Sequence, residues 1–317
     1  MQTAIETFDL TKDYRVGFWR SHPYRALDQL TLSVSPGEVF GFLGPNGAGK
    51  TTTLKLLMQL VHPTSGHATI LGRPAGEVAV KRRIGFLPEN PYFYDHLTAE
   101  ELLVYFAGLF GEHGAAARAR VARLLDLVGI GAERRLQLRK YSKGMVQRVG
   151  LAQALVNDPE VIFLDEPMSG LDPLGRRDVR TLVLSLRDEG RTVFFSSHIL
   201  ADAEALCSRV AVLAKGRLVA SGRLDEMLAF RVQGREIVAE GVSDQALARL
   251  RPRARRAQPL GPGRYAFEFD EAVAPEAIVG EVVAAGARLV SLNPVRESLE
   301  DFFVKQVARA EGAPRAV

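Results

Sequence analysis

The chain has 317 residues, of which 47% are hydrophobic and 25% charged, with a formal net charge of +4 and one cysteine, Cys207. That is a soluble, globular composition with room for two domains, and a single cysteine excludes an intrachain disulfide or a cysteine zinc site. No apolar run approaches the roughly 20 residues of a membrane-spanning helix, and the N-terminus lacks a signal peptide's basic start and apolar core, which points to a reducing cytosol. The basic residues are scattered apart from 251–256, a short run read as a solvated connection rather than a binding arm.

In chain order, residues 3–14 read as a strand and 15–25, holding Phe18, Trp19, His22 and Pro23, as a loop. Residues 26–34 alternate like a half-buried strand. A Ser35-Pro36-Gly37 turn leads to a short apolar strand at 38–43, then to G-P-N-G-A-G-K-T-T at 44–52, with leucines at helical spacing behind it. Short strands follow at 67–72 and 84–87. From about residue 88 the pattern turns helical: Thr98 and Glu101 form a capping box, 115–128 is a second helix, and a third starts at Ser142 and ends near Pro159. Residues 161–164 are wholly apolar, as in a buried parallel strand. Asp172-Pro173 opens another helix, which Gly190 closes. A strand at 192–197 and a hairpin around Lys215-Gly216 complete an alternation that argues for a mainly parallel sheet covered by helices on both faces.

After about 228 the pattern starts afresh, with strands at 236–239, 264–269 and 288–292, a helix at 275–285 and a closing helix from Ser298; the tail 311–317 reads as disordered. The expected organisation is therefore an α/β domain over 1–228, with a helical lobe at about 88–157, and a small α+β domain over 229–317.

The chemistry starts at 44–52. Strand, glycine loop and helix make a phosphate cradle: Gly44, Asn46, Gly47 and Gly49 shape a loop whose backbone N–H groups and positive helix end face phosphate oxygens. Lys50 reaches the β- and γ-phosphates, the Thr51 hydroxyl is a ligand for Mg²⁺, and Thr52 follows in the same turn. Asp165 and Glu166 end the apolar strand at 161–164, where Asp165 suits Mg²⁺ and Glu166 suits polarising an attacking water. Ser142 and Gly144 at a helix start form a second anion site. Asp172 lies just past the carboxylates, and His198 follows the next parallel strand, at the same sheet edge as Glu166.

In the joint order of these motifs, over residues 3–228, the chain resembles the ATP-binding subunits of ABC transporters, and among them the single-domain subunits of ABC-2 type exporters. The resemblance implies a P-loop NTPase core of the ABC ATPase type with an inserted helical subdomain. It also implies a Walker A loop at 44–52, a Walker B strand at 161–166 with Glu166 as catalytic base, and an A-loop aromatic, Tyr14, stacked on adenine. The signature motif falls at 141–145 with Ser142 and Gly144 in place, the D-loop at Ser169 to Asp172, and the catalytic H-loop histidine at His198. Two positions depart from the family pattern: Lys143 replaces a signature glycine, and Glu89 takes the Q-loop position, where a carboxylate can face Mg²⁺ beside the triphosphate. The cofactors so implied are ATP and Mg²⁺.

The partners implied are a second copy or a paralogue, closed head to tail so that each ATP lies between one chain's Walker A loop and the other's Ser142 helix, and a membrane permease of ABC-2 type. That places the chain in the cytoplasm, peripheral on the inner face of the cell membrane, with no nucleic acid partner. Two other readings stand beside this one. A soluble ABC-type ATPase acting on nucleic acid or ribosomes usually carries tandem nucleotide domains or long coiled coils, and residues 229–317 hold no second glycine-lysine loop. A nucleotide-timed regulatory switch, with the C-terminal domain as sensor, is the other.

Overall fold

The computed structural model describes residues 3–17, 22–229 and 232–296, together with Glu300 and Phe303. The closing helix expected from Ser298 and the tail 311–317 lie outside the described residues, apart from those two positions.

The first unit, through Leu224, contains two sheets. Strands β1 (Ile5–Val16) and β2 (His22–Val34) pair antiparallel, β3 (Val39–Leu43) and helix α1 (Lys50–Leu57) flank the glycine loop, and β4 (Ser65–Ile70) and β5 (Arg73–Pro74) finish an antiparallel sheet of order β2-β1-β4-β5. After α2 (Val78–Lys81) comes β6 (Ile84–Leu87), and then the helices α3 (Ala99–Leu109), α4 (Gly114–Leu127) and α5 (Lys143–Ala154). The chain continues through β7 (Val161–Asp165), α6 (Pro173–Asp188), β8 (Thr192–Ser197), α7 (Leu200–Leu206), β9 (Arg209–Ala214) and β10 (Arg217–Arg223). The second sheet has the order β10-β9-β3-β8-β7-β6, parallel throughout except for the β9–β10 hairpin at its edge.

Every residue of β3, β7 and β8 is buried, as expected of central parallel strands covered on both faces. Phe194 in β8 is the hub of this core, with ring centroids 5.6, 5.2 and 5.7 Å from Phe40, Phe42 and Phe163. The capping box at the start of α3 is formed: the Thr98 hydroxyl accepts from the Glu101 N–H, and the Glu101 carboxylate accepts from the Thr98 N–H.

Within the stretch expected to be a loop at 15–25, residues 15–16 and 22–25 are strand, and Gly17 lies just past the end of β1. β1 and β2 run on as a hairpin in which Tyr14 pairs with Tyr24, Arg15 with Pro23 and Val16 with His22. The hairpin arm is exposed on both sides, so its residues show none of the alternation that burial of one face imposes.

Helix α8 (Leu224–Ala229) leads into the second unit, which starts at Asp225, a few residues before the boundary expected at 228. This unit runs β11 (Val232–Glu240), α9 (Asp244–Leu250), β12 (Arg256–Gly261), β13 (Arg264–Asp270), α10 (Pro275–Ala284) and β14 (Arg288–Arg296). Its all-antiparallel sheet has the order β12-β13-β11-β14, a split β-α-β arrangement. Ile237, Ala239, Phe267 and Phe269 on the sheet pack with Ala246, Leu250, Ile278 and Val282 of the two helices. The sequence reading missed α9, which is only two turns long, and β12, which is exposed along most of its length. Both edge strands of this sheet carry a proline, Pro259 in β12 and Pro294 in β14.

The helical segment is tied to the parallel sheet at Gly85. A Cβ added there would fall onto the carbonyl oxygen of Ala154, at the end of α5. Gly85→Ala therefore forces α5 off β6 and is expected to cost about 1–3 kcal/mol of stability, read as a lower denaturation midpoint at unchanged slope in urea. An unchanged midpoint would mean that the contact is not tight.

Candidate active site

β3, β8 and β7 lie side by side with matched ends: Leu43 pairs with Ser197, and Asp165 with Ser196. Three loops leave the sheet at one level there, and their side chains meet. The loop after β3 is held close to its neighbours. A Cβ on Gly44 would meet the Leu213 carbonyl oxygen at 2.5 Å, and Gly49, at φ 109°, would place one 2.6 Å from the Ala26 carbonyl oxygen. Glycine is needed at Gly49 both for that backbone conformation and for the close approach. Gly49 then caps α1, whose first residue is Lys50.

Lys50 is buried. Its ammonium donates to the Gly44 carbonyl at 2.6 Å and lies 3.2 Å from Glu166 Oε1. Glu166 is also buried and sits at φ 50°, a left-handed conformation that costs a non-glycine residue roughly 1–3 kcal/mol. Its N–H donates to both the carbonyl and the hydroxyl of Ser196, at 3.2 and 3.1 Å. Glu166 Oε2 lies 2.8 Å from His198 Nδ1 and accepts from the His198 backbone N–H at 3.4 Å. Glu166 Oε1, despite the nearby ammonium, accepts no hydrogen bond. Asp165 is 1% exposed and accepts from the Ser196 hydroxyl at 2.6 Å and from Thr51. Burial raises its pKa above the ordinary carboxylate range, against the opposing pull of those hydrogen bonds and Lys50.

A cleft of about 370 Å³ opens above this cluster, lined by residues 45–52, Tyr14, Tyr24, Ala26, Glu89 and Glu166. Gly44 lies beneath it, as the carbonyl partner of Lys50. Asp165 and His198 adjoin it through Thr51 and Glu166. Ser142, Gly144 and Asp172 do not line it. The Ser142 hydroxyl caps α5 by accepting from the Met145 N–H, Gly144 faces Leu171, and Asp172 caps α6 by accepting from the Gly175 N–H at 2.8 Å.

The ABC transporter family description matches residues 27–169. An ABC transporter ATP-binding protein from a Synechocystis strain is 47% identical over 96% of this chain and 84% of its own length. The chain belongs to the ATP-binding proteins of ABC transporters. The bacitracin transport ATP-binding protein of Bacillus licheniformis is 35% identical, over 97% of this chain and 98% of that one. A solved dimeric ATP-binding cassette, in a post-hydrolysis state with ADP and Pi, superposes with a TM-score of 0.65 at 25% identity, covering 69% of this chain and 98% of that one. This ABC protein is thus an ATPase with the α/β cassette fold expected from its motifs, and the reading as a nucleic-acid or regulatory ATPase is not favoured.

Among the cassette's residues, the sequence reading missed Tyr24, Ala26, Ser196 and Gln147. Tyr24 and Ala26 line the cleft, Ser196 bonds both carboxylate positions, and the buried Gln147 amide of α5 donates to the Pro167 carbonyl just past Glu166. One signal was available: β8 is apolar until it ends in two serines, and polar groups closing a buried strand mark its functional end. Tyr24 carried no such signal, because its segment has no period.

Asp165 gives a pH prediction. A buried carboxyl with a raised pKa favours its protonated form in the fold, so its contribution to stability is lost as pH rises through the folded value. In nucleotide-free, metal-free buffer, Asp165→Asn should therefore be more stable than the unmodified chain at pH 8, with the difference shrinking towards pH 4. Thermal unfolding at the two pH values reads this directly, and a gap that widens at low pH would contradict it.

Proposed function

We propose that this ATPase works as a head-to-tail pair, with a second copy or a paralogue, and that the cycle of ATP closure and hydrolysis drives export through a separate integral membrane permease of ABC-2 type. The observation that carries this reading is the half-built cleft. It gathers the phosphate loop, Glu166 and Tyr14, while the helix capped by Ser142, with Gly144, stays outside it. A partner's Ser142 helix end, with Gly144 leaving its backbone open, would supply the missing N–H groups to the γ-phosphate. The dimeric cassette with ADP and Pi and the bacitracin transport relative support the pairing and the export reading.

The geometry supports the following proposed roles. The loop N–H groups of Gly47, Gly49 and their neighbours hold phosphate oxygens, with Asn46 and Thr52 at the rim and Tyr14 against the adenine. Lys50, held by Gly44 and Glu166, places its charge on the β- and γ-phosphates. Glu166 Oε1, paired with Lys50 but accepting no hydrogen bond, is an acceptor ready for a water's proton, and His198 fixes the other oxygen of that carboxylate. Thr51 and Asp165 form an all-oxygen donor set that suits Mg²⁺, with Glu89 at the cleft as a third oxygen. When bound, Mg²⁺ neutralises charge on the transferring phosphate. Among the described residues no helix is long and apolar enough to cross a membrane. The proposed seat of the cassette is the cytoplasmic face of the permease. Tyr92, Tyr94, Tyr105 and Leu109, all widely exposed in the lobe that follows Glu89, offer an apolar surface for it. Residues 1–228 are proposed as the ATPase domain and 229–317 as an accessory domain.

Glu166→Gln keeps the shape of the side chain and removes the base. Hydrolysis should fall about 10²- to 10⁴-fold, and the ATP-loaded chain, or the chain with its paralogue, should elute as a dimer in size-exclusion chromatography. Unaltered turnover would rule out Glu166 as the base. His198→Ala removes one hydrogen bond to a carboxylate and should slow turnover by about 10- to 100-fold with nucleotide affinity retained, measured as kcat against the dissociation constant for ATP. An unchanged kcat would leave His198 a structural residue.

A further inference from the structure

The end of the cleft away from the phosphate loop is built by the β1–β2 hairpin, where two tyrosines stand directly opposite each other, Tyr14 on β1 and Tyr24 on β2. Residues opposed across an antiparallel pair project to the same side, with Cβ atoms roughly 4.5–5.5 Å apart. Both tyrosines line the cleft, and Tyr24 is 48% exposed, which makes it a large ring with no core to fill.

Local features fix Tyr24 in this place. The register slips between Lys12, which pairs with Leu27, and Asp13, which pairs with Arg25. Ala26 is thus an extra residue on β2, a bulge of the kind that re-aims strand side chains beside a site. Its carbonyl oxygen abuts Gly49 of the phosphate loop and Gly216 after β9. One residue along, the Arg25 guanidinium donates to Asp13 at 2.9 and 3.2 Å and to Asp28 at 3.0 Å, locking the two strands in register next to the tyrosine pair. Tyr14 has already lost one ring face, because the Lys12 ammonium sits 5.1 Å from its ring centroid.

We propose that Tyr24 is a second base-binding residue, so that the nucleobase lies on a platform of two tyrosines rather than on Tyr14 alone. This rests on the nucleotide reading of the cleft given above. A purine, with two fused rings, offers more area to a pair of tyrosines than a pyrimidine does. Stacking reads ring area and not hydrogen-bond pattern. The platform therefore selects purine over pyrimidine nucleotides and leaves adenine and guanine weakly distinguished.

The test is calorimetric titration of the full chain with ATP, GTP, UTP and inorganic tripolyphosphate. Tyr24→Ala should weaken ATP and GTP by about 5- to 50-fold, as expected for loss of one base–aromatic contact. It should weaken UTP less and leave tripolyphosphate, which has no base, unchanged. Tyr24→Phe should bind like the unmodified chain. Equal affinity of Tyr24→Ala and the unmodified chain for ATP overturns the proposal, and so does an equal loss for tripolyphosphate, which would mark a disturbed loop. Lys50→Ala separates the two readings. Loss of ATP binding there, together with an unchanged Tyr24→Ala, sinks only the platform, whereas retained binding in Lys50→Ala sinks the nucleotide reading of the cleft itself.

Discussion

Everything at the active site depends on one constraint: the central strand β8 is parallel to both β3 and β7, and all three end level. The last two residues of β8 serve both neighbours. The Ser197 carbonyl accepts from the Gly44 N–H at the root of the phosphate loop, and Ser196 holds Asp165 and the backbone of Glu166 on the other side. A one-residue slip in either pairing would separate Lys50 from Glu166. With the ends aligned, a buried ammonium, two buried carboxylates and an imidazole share one small volume. There the Lys50 ammonium offsets the Glu166 carboxylate, while the Asp165 carboxyl is held by the Ser196 hydroxyl. Nucleotide meets a site whose charges are already arranged around one another, which is the preorganised electrostatics that catalysis at phosphate needs.

The cleft divides its work between two sheets of different character. The parallel sheet, buried on both faces, supplies the phosphate end and the carboxylates. The antiparallel sheet supplies the far end from a hairpin whose arm is exposed on both sides and held by the Asp13–Arg25–Asp28 ion pairs. Charge placement thus rests on the fully buried strands of the fold, while the far end of the cleft rests on an exposed arm. The Ala26 bulge joins the two, since its carbonyl is what the phosphate loop packs against.

This division also explains what could be read from the sequence. The buried strands were legible almost residue by residue, since 192–197 is apolar to its terminal serines and 161–164 is a pure apolar run. Burial on both faces imposes composition, and composition is visible. The helix starts at Thr98, Ser142 and Asp172 were legible as well, because each needs a side-chain oxygen to satisfy a free backbone N–H, and each cap is formed. The hairpin arm, β12 and α9 were not legible. An exposed strand has no burial to impose a period, and a two-turn helix offers too few positions to display one. Ser196 and Gln147 were missed for a different reason: their hydrogen bonds to Asp165, Glu166 and Pro167 run between elements that are neighbours only in the folded chain.

The prolines on the two outer strands of the second unit have a consequence for assembly. A sheet edge is a row of open donors and acceptors on which another strand can crystallise. Pro259 and Pro294 each remove a donor from that row, one on either flank of the β12-β13-β11-β14 sheet. Each flank of the sheet therefore offers an interrupted row of donors to a further strand. Strand pairing between the second units of separate molecules is thereby disfavoured on both flanks.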